Sequence, residues 1–328
     1  MNNHLPIKKR FSLSNILWDI WCIASVIGIW PRYIEPKLIS ITQLPLKISK
    51  LHPSLNHLKI LQFSDLHFQK CTSASLLKKL SAKIQSCNPD IIVFTGDFLC
   101  SSQLQDPNRL TEFLCSLKAP YGCYAILGNH DYQHYVSITQ NGDYDVIDNK
   151  SVTMRKGWKR LLSTITLTKR TTPRAAEVPL NNNLVNLLKK TPFILLHNET
   201  SIVPIRDTFI NICGVGEYVL NRCEPKIAFK NYNKNFPGIV LAHNPDGVPK
   251  LLEYPGDIIL CGHTHGGQIN LPWMWKKFTL LENFNLKRGL KSLRNKTIYI
   301  NRGVGAVMPF RWFSIPELTL ITLEPSHE

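Results

Sequence analysis

The sequence predicts a layered α/β sandwich with mixed sheets, and three observations carry that prediction. Apolar runs of strand length recur along the chain and each closes on a polar loop. A segment with helical spacing lies between the first two runs, so the opening reads β-α-β. With 44% hydrophobic residues in 328, the chain can also bury a sizeable core.

The first run is LKILQFSDLH (58–67), followed by the helical SASLLKKLSAKIQSC (73–87) and then DIIVFTGD (90–97). The pattern returns in CYAILGNHD (123–131), GIVLAHNPD (238–246) and DIILCGHTHGGQ (257–268). FILLHNE (193–199) and TFINICGVGE (208–217) add strands, and YINRGVG (299–305) with LTLITLE (318–324) closes the domain. Residues 51–328 are therefore one domain, interrupted at about 132–192 by an insertion without a strong strand pattern. Within that insertion basic residues surround Trp158, Leu161 and Leu162. Two readings fit them: an amphipathic cap facing lipid or substrate, or a solvated helix.

Residues 1–50 read as a membrane-associating segment and a linker punctuated by Pro36 and Pro45. Lys8, Lys9 and Arg10 precede an apolar stretch whose cleanest part, Ile16 to Trp30, is shorter as a helix than the ~30 Å hydrocarbon core. Asp19 lies inside it, while Trp18, Trp21 and Trp30 suit the headgroup level. The stretch ends in Ile-Trp-Pro-Arg rather than in small residues, which argues against cleavage. Shallow interfacial insertion is one reading, and a helix buried against the domain is the other.

Lys and Arg outnumber Asp and Glu by 39 to 23, a formal net charge of +16 that favours anionic partners, among them anionic lipids and phosphorylated substrates. No alternation of aromatic and basic residues marks a nucleic-acid groove, so nucleic acid is not an expected partner. The nine cysteines are scattered with no CxxC pair, which reads as reduced thiols acting as small hydrophobes rather than a thiolate site.

The polar loops carry the chemistry. Asp65 and His67, Asp97, Asn129 and His130, His243, and His263 with His265 all follow separate strands. Carboxylate, imidazole and amide oxygen together describe a site for Mn, Fe or Zn. Two such ions about 3.5–4 Å apart would be bridged by Asp97. Gly96, Gly128, Gly262, Gly266 and Gly267 beside them permit positive φ and close backbone approach.

In order, DLH, GD, GNHD, AHNPD and GHTHGGQ resemble the calcineurin-like metallophosphoesterase superfamily. NRGVG, MPFRWF and PEL extend the likeness to its membrane-associated branch, and there to the UDP-2,3-diacylglucosamine pyrophosphatases of lipid A biosynthesis. The resemblance implies a four-layer α-β-β-α sandwich and a two-metal hydrolase. It implies one metal on Asp65, His67 and His265, the other on Asn129, His243 and His263, and Asp97 bridging. It implies that His130 contacts the phosphate or protonates the leaving oxygen, with Asp131 orienting it. The implied reaction gives UMP and 2,3-diacylglucosamine 1-phosphate, with Mn2+, at the cytoplasmic face of the bacterial inner membrane. A membrane-associated phosphodiesterase of another substrate and a metal-stabilised binding module are the alternatives. For substrate contact the sequence offers Arg302 and Arg311 as phosphate forks or surface residues. Trp273 and Trp275, in LPWMWKKF, either hold an acyl chain or pack the loop.

Overall fold

The computed structural model describes residues 13–148, 165–272, 275–279, 281–294, 296–308 and 310–326. Fourteen strands occur among them: β1 (Ser40–Ile48), β2 (Lys59–Phe63), β3 (Ile91–Thr95), β4 (Cys123–Ile126), β5 (Val136–Ile138), β6 (Tyr144–Val146), β7 (Phe193–Leu195), β8 (Glu199–Ile205), β9 (Thr208–Gly214), β10 (Gly238–Leu241), β11 (Ile258–Cys261), β12 (Gly289–Leu293), β13 (Lys296–Ile300) and β14 (Glu317–Pro325). The first sheet has the order β1-β14-β2-β3-β4-β7 and the second β12-β13-β11-β10-β9-β8. Both are mixed. In the first, β2, β3, β4 and β7 run parallel and β14 lies antiparallel to β2. In the second, β9, β10, β11 and β13 run parallel between antiparallel edges.

Parallel strands covered on both faces read as continuous apolar runs, and the two-residue side-chain period divides each run between two cores. Ile60, Ile91, Val93, Ile239, Leu241, Ile258 and Leu260 interdigitate between the sheets. Their alternates Leu61, Phe63, Ile92 and Phe94 turn outward onto three helices, α2 (Ala74–Ser86), α3 (Pro107–Cys115) and α4 (Asn182–Leu188). On the far side of the second sheet, Val240, Ile259 and Ile298 meet a single helical turn, Pro225–Ala228, and a 3-10 stretch, Pro245–Leu251. The fourth layer is thus built of short turns in place of long helices. The stacking places the carboxyl ends of the parallel strands of both sheets side by side, and Gln62 Nε2 crosses the seam to Cys261 O at 2.9 Å.

Two sequence expectations are revised, and one of the two readings of the amino-terminal segment falls away. The proline-punctuated stretch read as a linker forms β1, paired in parallel with β14 over its whole length, so the domain begins before residue 51. Pro45 is tolerated because β1 is an edge strand with no neighbour on its far side. The insertion contains a small hairpin, β5-β6, outside both sheets, while the basic cluster around Trp158, Leu161 and Leu162 lies outside the described residues. Helix α1 (Leu13–Ala24) continues through wider turns to Ile34 and is not buried against the domain: Leu13, Trp18, Trp21 and Ile27 are all exposed. Among the described residues no helix is long and apolar enough to cross a membrane. All nine cysteines are free, and Cys123, Cys213, Cys223 and Cys261 are buried.

Leu46 on β1 is buried in the inter-sheet core. Leu46→Ala is expected to cost about 2–4 kcal/mol in urea unfolding, as a core truncation does. A cost near zero would return the segment to linker status.

Candidate metal centre

Each candidate ligand sits just beyond a strand whose position the sheets fix. Asp65 and His67 follow β2, Asp97 follows β3, Asn129 and His130 follow β4, His243 follows β10, and His263 and His265 follow β11. Asp65, His67, Asp97, His263 and His265 all have positive φ, between 45° and 69°. Non-glycine residues in that region cost about 1–3 kcal/mol each and gather where a site over-determines the backbone. Close approach is built in as well: a Cβ at Gly96, itself at φ 92°, would lie 2.6 Å from His243 Nδ1, and one at Gly128 would strike Asp97 and His243.

Histidine and aspartate side chains from these loops gather in clusters. Three overlapping trios have donor atoms close enough for one ion: Asp65, His67 and His265, all buried; His67, Asp97 and His130, all buried; and Asp97 and His243 with half-buried His263. Asp97 is common to the last two: its Oδ2 is 3.5 Å from His67 Nε2 and 3.2 Å from His243 Nε2. His265 Nε2 is 2.9 Å from His67 Nε2 and 3.6 Å from Asp65 Oδ1, and His263 Nδ1 is 3.2 Å from His243 Nε2.

The far side of several rings decides which nitrogen faces the centre. His67 Nδ1 donates to Leu99 O and His243 Nδ1 to Thr95 O, leaving each Nε2 lone pair aimed inward, the usual support of a ligating imidazole. Burial lowers the pKa of His67 and His265 and takes His263 to about 3, so these rings are neutral. His243 is the exception: burial lowers it most, but Asp97, Glu217 and Asp65 together raise it well above the usual value. Burial opposes charge on Asp97 too, yet the imidazoles led by His243 hold its carboxyl well below the usual range.

Asn129 donates from Nδ2 to Val136 O at 2.7 Å, which turns Oδ1 the other way, and that oxygen is buried with no hydrogen-bond partner. An orphaned buried amide oxygen fits a cation ligand. The donor set therefore fits two divalent ions.

His130 differs from the other rings. Its Nδ1 accepts the Ser101 N–H at 2.9 Å, so the ring proton resides on Nε2, which points toward Asp97 Oδ2 at 3.9 Å. The Tyr135 ring packs over it, 4.1 Å between centroids.

A scan of known families matches residues 58–267 to the calcineurin-like phosphoesterase model. The chain is also 41% identical over 305 residues to the UDP-2,3-diacylglucosamine pyrophosphatase LpxG of Chlamydia trachomatis serovar D, covering 89% of this chain and 92% of that one. The chain belongs to the calcineurin-like phosphoesterase family. The LpxG of Chlamydia muridarum is 40% identical over 304 residues, 89% of this chain and 92% of that protein. The phosphodiesterase YaeI of Escherichia coli K12 is 26% identical over 265 residues, 81% of this chain and 82% of its own. The buried histidine and aspartate clusters are those of a metallophosphoesterase, and this chain is a hydrolase of that kind.

Other expectations change. Asp131 does not touch the His130 ring; its carboxylate accepts the N–H groups of Asp97, Phe98, Leu99 and Gly128, so Ser101 orients His130 and Asp131 holds the loop of Asp97. Burial beside Asp97 pushes Asp131 up to about 7, with the backbone donors opposing. Arg311 is fully buried, its guanidinium engaged by the carbonyls of Arg302, Gly303, Gly305 and Ser314 and lying 3.1 Å from His265 Nδ1, so it presents no fork to a substrate. Arg302 is held by Glu317 and Ser40. Trp275 packs edge-on against Phe284, and Trp273 lies outside the described residues.

Sequence reasoning missed Glu217, buried at the end of β9 with an unpaired Oε2 and electrostatically close to His243 and Asp97. The strand-then-polar pattern of GVGE was the signal for it.

Asp131→Asn leaves one oxygen for four donors and turns an amide N–H against others. It is expected to lose about 2–3 kcal/mol of stability, read by urea unfolding. Unchanged stability would show that the four bonds do not hold the loop.

Proposed function

We propose that this hydrolase cleaves the pyrophosphate of UDP-2,3-diacylglucosamine to UMP and 2,3-diacylglucosamine 1-phosphate, as a step of lipid A biosynthesis. The observation that carries the proposal is the likeness to the chlamydial pyrophosphatases along nearly the whole chain, supported by the histidine and aspartate clusters at the strand ends. Asp65, His67 and His265 would hold one divalent ion, and Asn129, His243 and His263 the other, with Asp97 shared. Mn2+ suits this set of carboxylate, imidazole and amide donors.

When bound, the two cations supply Lewis acidity and positive charge at the phosphoryl group. The chain's own residues do the rest. His130, held by Ser101, offers Nε2–H to a phosphoryl or leaving oxygen. The departing group is a phosphate monoester, a weak base, so a positioned hydrogen bond suffices where an alkoxide would need full protonation. Asp97 Oδ1 accepts the backbone N–H of His130 at 2.9 Å, which ties the carboxylate to the residue that carries the donor ring.

A lipid-linked substrate requires a lipid surface. The exposed apolar helix and the charge of +16 support peripheral association with anionic lipid at the cytoplasmic membrane face, where unpaired cysteines are at home.

The test is purified full-length protein in detergent with Mn2+ and UDP-2,3-diacylglucosamine, with products followed by mass. Wild type should release UMP and lipid phosphate, chelation should abolish turnover, and Asp97→Ala should be inactive. His130→Ala should keep bound metal and lose about 10²–10⁴-fold in rate. Hydrolysis of a generic phosphodiester without UMP release would discard the substrate and keep the family chemistry.

A further inference from the structure

Glu35 is 1% exposed although it follows directly on a helix whose large apolar side chains are exposed. Its Oε2 accepts the indole N–H of Trp30 at 2.8 Å and the backbone N–H of Phe313 at 3.0 Å, and its Oε1 accepts Ser314 N. Within the same turn, Pro31 O accepts Arg311 N at 2.8 Å. The base of the helix is thereby bonded at several points to a single loop.

That loop is also a wall of the metal centre. Arg311 reaches His265 Nδ1, Ser314 Oγ donates to His265 O, and Trp312 exchanges backbone hydrogen bonds with the segment Gln268–Asn270. Phe313, between these contacts, is left half-exposed. One loop therefore joins an apolar helix to a ligand histidine.

The helix itself points to its surroundings. A helix that docks on a protein shows one apolar stripe, whereas here Trp18, Trp21, Ile23 and Ile27 are exposed on several sides of it. Lipid solvates such a surface all round, and the net charge of +16 favours an anionic bilayer. A free helix on a flexible tether would bind the bilayer without setting the attitude of the domain. A buried carboxylate is costly to keep, and its use here is geometric: three donors from two segments meet on two oxygens.

The geometry points to Glu35 as a positioning residue that locks the apolar helix to the 310–314 loop. Binding of the helix to an anionic bilayer then brings that loop, and the metal centre behind it, to the lipid surface. The kinetic consequence rests on the lipid-linked substrate proposed above; the positional one does not.

Glu35→Gln replaces an acceptor by an amide N–H facing donors, and Trp30→Phe removes one donor while keeping the carboxylate, a milder change that leaves the fold intact. Full-length wild type and both variants would be followed by hydrogen–deuterium exchange, with and without vesicles of phosphatidylglycerol and phosphatidylethanolamine. In wild type, vesicles should slow exchange across residues 13–34 and at 310–314. In E35Q the slowing should persist at 13–34 and vanish at 310–314. Persistence of vesicle protection at 310–314 in E35Q overturns the proposal.

With substrate in the same vesicles, E35Q should raise the apparent KM about tenfold and W30F about threefold, with kcat within about twofold. A fall in kcat at unchanged KM would mean that Glu35 only props the metal centre, and would also overturn the proposal. If wild type protects both segments yet turns over no UDP-2,3-diacylglucosamine, the substrate reading fails and the positioning role stands.

Discussion

The carboxylate of Asp131 binds four backbone N–H groups drawn from two loops, and the rest of the centre depends on that knot. Asp97 belongs to one of those loops and faces both histidine clusters. Its position relative to His67 and His243 decides whether one carboxylate can serve two cations. A flexible loop would let Asp97 follow either cluster. Held from behind by a residue that never enters the centre, it stays between them.

The same logic explains why the centre sits at a seam. Packing one sheet on the other brings the carboxyl ends of two parallel sets of strands together, so Asp65 and Asp97 from one sheet meet His243, His263 and His265 from the other. Strained turns at five of these residues persist because the strands beneath them are fixed by apolar burial on both faces. Imidazole nitrogens gathered around the carboxylates of Asp65 and Asp97 in a largely buried seam then form a strong cation field. Solvent exposure would weaken it.

The amino-terminal helix and the loop before β14 extend this arrangement outward. Glu35, Pro31 and Arg311 connect an exposed apolar surface to the backbone around His265 through direct hydrogen bonds. Arg311 holds that loop through carbonyls rather than meeting a substrate, which shows how a guanidinium can matter to a phosphoester centre without touching phosphate. Its charge survives burial because four carbonyl groups replace the lost water.

By itself, the sequence marked the buried parallel strands and the polar group that ends each of them, since both are local facts. A continuous apolar run marks a strand buried on both faces, and a polar group at its end has nowhere to go but the strand-end loop. LKILQFSDLH and DIILCGHTHGGQ are therefore legible without coordinates. Contacts between segments distant in sequence left no such trace. SITQLPLKI reads as a linker because its partner, Glu317–Pro325, lies far along the chain. Asp131 stands next to His130, but an adjacent residue on a turn points where the turn sends it, which here is toward the loop of Asp97. Glu35 reads as one acid in a terminal segment until Phe313 and Ser314 are folded against it. Tertiary structure alone decided these roles, because a hydrogen bond is set by the placement of two groups, and sequence carries the placement of only those that are neighbours.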